Sequence, residues 1–341
     1  MTQLNVGVIG YGYWGPNLVR NFQENPDTKV AMVSDLQTGR LDLVRSRYPF
    51  VETSTDYHDL LNNPQIDAIV ISTPVETHFD LAMAAFKAGK HVLVEKPLAS
   101  SSAQVLQLIE EAEQRNLTLM VDHTFVYSGA VRKLRTLIET GELGDIYYYD
   151  STRINLGLFR HDVNVIWDLA VHDLSIMDYL FQSKPCAVSA TGIKHIPGEL
   201  ENVAYMTLFF DSSLIAHINV NWLAPVKVRR TLVGGSKKMA VMDDLEPSEK
   251  LKIYDTGVTL MQDRESIYQM LISYRTGDML APRLDMAEAL KIEAQHFVDC
   301  VRTGKTPITD GKAGLRVIQM MEAATESMVQ GGQRIDLPTG R

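Results

Sequence analysis

The stretch VGVIGYGYWGPN, residues 6–17, decides the fold. A β-branched apolar run ends at Gly10, and Gly12 and Gly15 complete a G-x-G-x-x-G spacing ahead of Pro16. Between a strand and a helix, such glycines allow a tight turn, close approach of a pyrophosphate and close helix–strand packing. Pro16 suits the first turn of a helix, whose N-terminus offers N–H groups to phosphate. The stretch predicts a dinucleotide-binding loop, the alternative being a glycine-rich turn without a ligand.

The first third of the chain repeats this strand–helix pattern. Apolar runs that suit buried parallel strands lie at 5–10, 29–35, 66–73, 91–96 and 118–123. Helical segments lie between them near 15–25, 38–47, 56–62, 76–88 and 101–115. This alternation is typical of a doubly wound parallel sheet with right-handed crossovers. We therefore predict an α/β, Rossmann-type domain over residues 1–123.

The pattern changes after about residue 125. Helices are expected near 129–140 and 164–181, and again within 283–304 and 311–332. Strand-like runs, several of them alternating, lie at 147–155, 186–194, 202–210, 214–222, 228–235, 238–244 and 250–255. Alternation indicates a sheet with one packed and one polar face. We predict a second, α+β domain over 124–341 with a largely antiparallel sheet, and C-terminal helices that pack back on the first domain.

Composition restricts the partners. The net charge of −9 argues against a nucleic-acid partner, because neutralising phosphates needs a basic surface. No run approaches about 18 apolar residues, so no membrane span is expected, and the N-terminus does not resemble a secretory signal. The two cysteines, Cys186 and Cys300, share no close-spaced motif, which suits a reducing compartment. We expect a cytoplasmic protein with a small-molecule ligand.

Residues after the predicted strands indicate the cofactor. Asp35 follows Gly15 by 20 residues, where a carboxylate can accept both ribose hydroxyls of NAD and repel a 2′-phosphate. The alternative for Asp35 is a strand-end acid that starts a turn. NAD is favoured, and nearby Arg40 leaves NADP conceivable. His78 is either a cofactor contact or an ordinary residue of an amphipathic helix. The expected cofactor-binding set is Gly10, Gly12, Tyr13, Trp14, Gly15, Asp35, Arg40, Thr73, Pro74, His78, Glu95 and Lys96.

Several segments together resemble the Gfo/Idh/MocA oxidoreductases: GVIGYGYWG, STPVETHFDLAMAAFKAGKHVLVEKPLA, GELGDI, WDLAVHDLSIMDYLF and the stretch 282–327. The resemblance implies an NAD(P)-dependent dehydrogenase or reductase for sugars, inositols or nucleotide sugars. It also implies a Rossmann domain joined to an open-faced mixed-sheet domain, and dimers or tetramers. By match to the family's motifs, Lys96 is the catalytic lysine, with Asp168 and His172 as its partners.

Asp168 and His172 also stand out by spacing alone, because residues four apart share one face of a helix. A carboxylate there can orient the histidine and stabilise its charge, although a core histidine has the same pattern. Asp173 points elsewhere, and its role stays open. His172 is the first choice for the base, and Lys96 could stabilise the alkoxide or take the proton itself. A metal site built from His161, Asp162, Asp168, His172 and Asp173 is disfavoured, because no H-x-x-x-H spacing or nearby cysteine supports it, and no metal is predicted.

The chain departs from many family members in the substrate region. Phe125 and Tyr127 occupy a segment where an arginine is common, and LFRHDVNVIWD replaces a glycine-rich lead into the Asp168 helix. The variant resembles enzymes of bacterial polysaccharide synthesis that oxidise UDP-N-acetylglucosamine, or its uronate, at C3. We predict this reaction, with a free sugar or inositol dehydrogenase and a non-catalytic NAD-binding regulator as alternatives. The candidate substrate residues are Tyr127, Arg153, Asn155, Arg160, His161, Asn164 and His172; the arginines could pair with a diphosphate or carboxylate, or lie on a surface or interface.

Overall fold

The computed structural model describes residues 3–157, 163–197, 200–255, 257–260 and 272–338. Contacts divide the chain into two units, Met1–Ser128 with Ala287–Gln319 and Gly129–Met286 with Met320–Arg341. The predicted first domain ended at residue 123, whereas the first unit continues to Ser128 and takes in a C-terminal segment. Among the helices in these ranges, none combines the length and the apolar character that a membrane span needs.

The first unit is built on a six-stranded parallel sheet with the order β3-β2-β1-β4-β5-β6. The strands are β1 (Leu4–Ile9), β2 (Thr28–Ser34), β3 (Glu52–Ser54), β4 (Ala68–Ile71), β5 (His91–Glu95) and β6 (Leu119–Asp122). Their helices are α1 (Gly15–Glu24), α2 (Thr38–Arg47), α3 (His58–Asn62), α4 (His78–Lys87) and α5 (Ser102–Arg115), with 3₁₀ turns at Val75–Thr77 and Thr124–Tyr127. The order reverses beside β1, and in such sheets ligands bind at the carboxyl edge there. The predicted Rossmann fold is confirmed.

The second unit is built on a nine-stranded mixed sheet with the order β16-β13-β12-β11-β7-β10-β9-β8-β17. Only β7 and β10 pair in parallel among its described strands. The strands are β7 (Ile146–Leu156), β8 (Ala187–Ile193), β9 (Val203–Phe209), β10 (Ile215–Asn221), β11 (Leu223–Gly235), β12 (Met239–Asp243), β13 (Leu251–Tyr254), β16 (Met279–Leu280) and β17 (Ile335–Asp336), while β14 (Gly257–Leu260) and β15 (Ile272–Arg275) form a separate hairpin. The predicted largely antiparallel sheet is confirmed.

One helical segment precedes β7 and another follows it. The first is α6 (Gly129–Glu139), and the second begins with a π-helical turn, Ile166–Ala170, that continues into α7 (Val171–Leu180). The side-chain oxygen of Asn164 accepts hydrogen bonds from the N–H groups of Ile166, at 3.1 Å, and Trp167, at 3.2 Å. Asn164 therefore caps this segment. The helix predicted near 164–181 is present, but its first residues form a wider π-helical turn instead of a regular α-helical one.

The last helices are α8 (Ala289–Thr303) and α9 (Gly311–Val329), and α8 belongs to the first unit. It packs on α1 through Phe297, whose ring meets Phe22 edge-on at 6.2 Å. Polar bonds flank this contact, from Arg20 to Glu288 at 2.5 Å and from Arg302 to Asp27 at 2.7 Å. The helix that starts at the glycine loop is thus held from one side by the far end of the sequence.

Arg153 and Asp173 form a buried ion pair inside the second unit. Arg153 is 3% exposed and Asp173 is 2% exposed, and Arg153 Nε donates to Asp173 Oδ2 at 2.7 Å. Ser151 Oγ donates to the other carboxylate oxygen at 2.7 Å. Arg153, a predicted substrate residue, thus has a buried partner inside the unit, and a substrate contact for it stays a prediction. Asp173, whose role the sequence left open, is that partner.

Because removing one member of a buried pair leaves the other charge uncompensated, we predict that Asp173→Leu lowers the free energy of unfolding by about 3–5 kcal/mol. The double variant Arg153→Met/Asp173→Leu should recover most of this loss. Urea denaturation followed by circular dichroism measures both. A double variant as unstable as the single one would contradict the assignment of Asp173 as the guanidinium's counter-charge.

Candidate active site

The glycine loop between β1 and α1 has two positions that exclude any side chain. Gly10 has φ +98°, and a Cβ there would lie 2.2 Å from the carbonyl oxygen of Ser72. A Cβ on Gly15 would lie 2.3 Å from the carbonyl oxygen of Gly10. Both contacts are with backbone atoms that cannot rotate away, so the turn itself requires these two glycines.

Gly12 is different, because the described fold leaves room for a Cβ there. Among the described residues, apart from the chain neighbours of Gly12, the atoms within 4 Å of that position belong to the Arg40 guanidinium, 3.7 Å away at the closest. No side chain caps α1, its first turn holds no acidic residue, and Pro16 lies at its start. An uncapped helix N-terminus beside an open backbone cradle suits an anionic group such as a pyrophosphate. Tyr13, 95% exposed, flanks the cradle.

Asp35 follows β2 and ties the glycine loop to it. Its carboxylate accepts from the backbone N–H groups of Tyr11, at 2.8 Å, and Gln37, at 2.9 Å, and pairs with Arg40 Nη1 at 3.2 Å. Arg40 Nη1 is shared between the two carboxylate oxygens, at 3.2 Å and 3.4 Å, so each oxygen accepts one backbone N–H and one long bond from the guanidinium. Asp35 is thus placed at the edge where an NAD ribose would need an acceptor.

The remaining predicted cofactor residues lie after β4 and β5. Thr73 Oγ1 is 2.7 Å from Thr77 Oγ1, Pro74 is exposed, and Glu95 Oε2 accepts from Ser72 Oγ at 3.3 Å. Lys96 directly follows β5 and is half-buried; its peptide bond to Pro97 is cis. Since parallel strands end at one edge, the structure gathers these residues on the same edge as the glycine loop.

His78 lies inside the unit rather than at its surface. It is 1% exposed, with Nδ1 2.8 Å from the Pro97 carbonyl oxygen and Nε2 2.8 Å from that of Thr73. Burial lowers the pKa of the ring, and the charge of Lys96 lowers it further. The sequence left two roles open for His78: a cofactor contact, or an ordinary residue on a helix face. Its burial and its two carbonyl neighbours fit neither role. His78 bridges the loops that carry Thr73 and Lys96.

Asp168 and His172 lie in the second unit, on the π-helical turn and the first turn of α7. Asp168 Oδ2 accepts a hydrogen bond from Trp222 Nε1 at 3.0 Å. Trp222 is 1% exposed, and a buried indole N–H needs an acceptor. Trp222 thereby holds the Asp168 carboxylate, a role that sequence analysis missed because the two residues are far apart in the chain.

The other candidate substrate residues are spread over the chain. Asn155 is half-buried near the end of β7, Asn164 is the 6% exposed cap described above, and Arg160 and His161 lie outside the described residues. Tyr127 is 2% exposed in the first unit, with its hydroxyl 3.1 Å from Thr309 Oγ1. Burial raises the pKa of Tyr127 well above its ordinary value, so its phenol is neutral. Tyr127 therefore lies inside the first unit, and a substrate role for it stays a prediction.

Comparisons with known proteins agree with this arrangement. Residues 4–123 match the oxidoreductase family with an NAD-binding Rossmann fold, and residues 131–241 match the GFO/IDH/MocA C-terminal domain. The chain belongs to the Gfo/Idh/MocA oxidoreductase family. It is therefore a dehydrogenase that acts on a CH–OH group with NAD(P).

Two relatives of this Gfo/Idh/MocA chain match it along almost its whole length. It is 27% identical to a scyllo-inositol 2-dehydrogenase (NAD(+)) from Bacillus subtilis, covering 96% of this chain and 93% of the relative. It is 26% identical to a UDP-N-acetylglucosamine 3-dehydrogenase from Acidithiobacillus ferrooxidans, covering 97% and 100%. A solved structure of a UDP-N-acetylglucosamine 3-dehydrogenase from that organism superposes with a TM-score of 0.79, at 25% identity, covering 96% and 98%.

A buried acid on α8, Glu293, was not among the residues predicted from the sequence. Glu293 is 0% exposed and lies near Asp122, at the end of β6. A signal existed, since Glu293 falls three residues after Leu290 and four before Phe297, which are both buried. A carboxyl group on the apolar face of a helix is unusual enough to indicate a special role.

The glycines give a prediction that separates binding from folding. Gly12→Ala should leave the melting temperature unchanged, because the folded protein has room for the added Cβ. It should weaken NADH binding about tenfold or more, because that Cβ fills the space proposed for the pyrophosphate. Gly15→Ala should instead lower the melting temperature, because its Cβ collides with backbone. Thermal melts and NADH fluorescence titrations measure the two effects. Gly39→Ala, in open space on α2, is the matched control; an unchanged NADH affinity in Gly12→Ala would contradict the cradle.

Proposed function

We propose that the chain oxidises a secondary hydroxyl of a nucleotide sugar with NAD, at C3 of UDP-N-acetylglucosamine or its uronate. The observation that carries this proposal is the placement of Lys96 on the edge of the sheet that holds the open Gly12 cradle. The choice of sugar is supported by the full-length likeness to UDP-N-acetylglucosamine 3-dehydrogenase. The net charge and composition leave a small molecule as the expected substrate.

The described residues fit a dinucleotide, and Asp35 favours NAD over NADP. The uncapped start of α1 and the backbone at Gly12 would hold the pyrophosphate, and Asp35 would accept from the adenosine ribose. A 2′-phosphate would meet the Asp35 carboxylate and be repelled. Arg40, paired with Asp35, offsets part of that repulsion.

A bound NAD would supply the acceptor for the hydride that leaves the carbinol carbon of the substrate. We assign the hydroxyl proton to His172, because the carboxylate of Asp168 one turn earlier can stabilise the imidazolium that forms. Trp222 keeps that carboxylate in place through its 3.0 Å hydrogen bond. Lys96 donates to the reacting oxygen and stabilises the developing alkoxide. Exchange of the two roles, with Lys96 as the base, is the alternative.

A second candidate substrate is a free inositol or sugar. The likeness to scyllo-inositol 2-dehydrogenase is of the same size and coverage as the likeness to the nucleotide-sugar enzyme. The chemistry at the hydroxyl would be the same, so the assignment of Lys96 and His172 does not depend on which substrate is correct. Only the contacts beyond the reacting carbon would differ.

We also propose a homodimer or homotetramer formed through the nine-stranded sheet. Large apolar side chains on its strands are exposed in the single chain, including Ile193 at 62%, Tyr205 at 46% and Ile215 at 46%. Apolar side chains exposed on one sheet suit a contact with a second copy of the chain.

Asp35 gives a test of the cofactor. Asp35→Ser removes the carboxylate that repels a 2′-phosphate and leaves Arg40 to attract it, so the preference for NADH over NADPH should fall about tenfold or more. Fluorescence titration with both dinucleotides measures the ratio. Asp42→Ser, an exposed acid on α2, is the control and should keep the wild-type ratio. A ratio unchanged by Asp35→Ser would contradict the assignment.

The substrate is tested by following NADH absorbance with a panel of UDP-sugars, free sugars and inositols. We expect turnover of UDP-N-acetylglucosamine or its uronate, and Lys96→Ala should lose turnover while it still binds NADH. Because tightly held NADH could stall the enzyme, single-turnover formation of NADH is also measured. Reaction with a free polyol and none with any UDP-sugar would overturn the nucleotide-sugar proposal in favour of the second candidate.

A further inference from the structure

A pair of acids lies beneath the glycine loop of the first unit. Trp14, the last residue before α1, donates from its indole Nε1 to Asp122 Oδ2 at 2.6 Å. Thr124 Oγ1 donates to the other oxygen, Asp122 Oδ1. Asp122 is 2% exposed, so its carboxylate is held by these donors inside the protein rather than by solvent. The orientation of the Asp122 carboxylate is therefore fixed by one donor on each oxygen.

The second acid, Glu293, is fully buried on α8 and faces the first. Its polar neighbours are the Asp122 carboxylate, the Thr124 hydroxyl and the backbone N–H of His123, although neither Glu293 oxygen makes a hydrogen bond of regular geometry with the described residues. Two other neighbouring residues carry titratable side chains: Tyr127, whose phenol is neutral, and His123, whose imidazole is buried.

Two carboxyl groups this close in a dry site cannot both be ionised. Burial raises the pKa of Glu293 well above its ordinary value, and the charge and hydrogen bonding of Asp122 raise it further. Asp122 already receives two donors, whereas Glu293 has none of comparable quality. The shared proton therefore resides on Glu293, next to the Asp122 charge.

The position of Glu293 is fixed by the same helix that supports α1. On α8, Phe297 packs against Phe22 of α1, and Gln295 accepts from Asn25 at 3.1 Å. Because α8 is held against α1 in this way, Glu293 and its proton lie at a fixed position beside Asp122. By contrast, Trp14 directly precedes α1, a helix whose N-terminus no side chain caps.

We infer that Glu293 is a positioning residue for dinucleotide binding: its protonated carboxyl keeps the Asp122 carboxylate turned toward Trp14, and Trp14 in turn fixes the start of α1. This inference rests on the proposed binding of NAD at the glycine loop. In this role the Glu293 carboxyl group contacts neither the substrate nor the cofactor. Its influence reaches the pyrophosphate cradle only through Asp122 and the indole of Trp14.

The test compares Glu293→Leu, Glu293→Gln and Trp14→Phe by NADH titration and by hydrogen–deuterium exchange of the loop around residues 11–18 in the ligand-free protein. Glu293→Leu should raise the NADH dissociation constant about tenfold and speed exchange in the loop, with kcat changed less than KM. Glu293→Gln imitates the protonated acid and should restore most of both. Trp14→Phe should match Glu293→Leu, and the double variant should be no worse than either single one, because they break one chain of contacts.

The pH dependence gives an independent readout. As pH rises through the raised pKa of Glu293, ionisation places a second negative charge beside Asp122, so NADH affinity should fall with pH in the unchanged chain. Glu293→Gln cannot ionise, and its profile should be flatter over the same range. Equal slopes for the two proteins would overturn the assignment of the proton to Glu293.

Val298→Ala, a buried apolar change on the same helix, controls for loss of stability alone. If Glu293→Leu loses stability as this control does and keeps both NADH affinity and slow exchange, Glu293 is only structural and the inference is wrong. If Glu293→Gln is as impaired as Glu293→Leu, the acid is ionised. If the unchanged chain binds neither NADH nor NADPH, the proposed function fails, while the exchange data still decide whether Glu293 holds the loop.

Discussion

The turn from β1 into α1 is possible only because Gly10 and Gly15 lack a Cβ atom. The backbone of one crosses the Ser72 carbonyl, and the backbone of the other crosses Gly10 itself, at distances that no side chain could share. That crossing places the N-terminus of α1 over the edge of the parallel sheet. The rest of the first unit supports this placement, and the chemistry expected of the family depends on it.

Several interior polar groups serve to hold the loops at this edge. Asp35 ties the glycine loop to the end of β2, and His78 bridges the loops after β4 and β5. Asp122 anchors Trp14 from the end of β6. Each of these side chains is buried, where an unpaired polar group is costly, so each bond also fixes the loop that it joins. The cradle is therefore shaped by neighbours that were far apart in the sequence.

The sequence predicted the long elements and the residues on the sheet edge, because buried strands are apolar and their loops follow in a fixed order. It did not predict β3, whose three residues Glu52–Ser54 are polar and too few to show a period. It treated the segment before α7 as regular helix, since a π-helical turn leaves almost no trace in residue spacing. Arg153 was predicted to pair with a diphosphate or carboxylate because a guanidinium matches these groups. Its buried pair with Asp173, and the contact of Tyr127 with Thr309, join residues that only the folded chain brings near, so spacing could not predict them.

The central claim is that the backbone between Gly10 and Gly15 receives the pyrophosphate of NAD at the start of α1. A crystal structure of the chain grown with NAD tests it most directly. The account predicts electron density for the pyrophosphate within hydrogen-bonding distance of the loop amides, with the adenosine ribose against Asp35. Density for the dinucleotide at any other place, or none at saturating concentration, would contradict it.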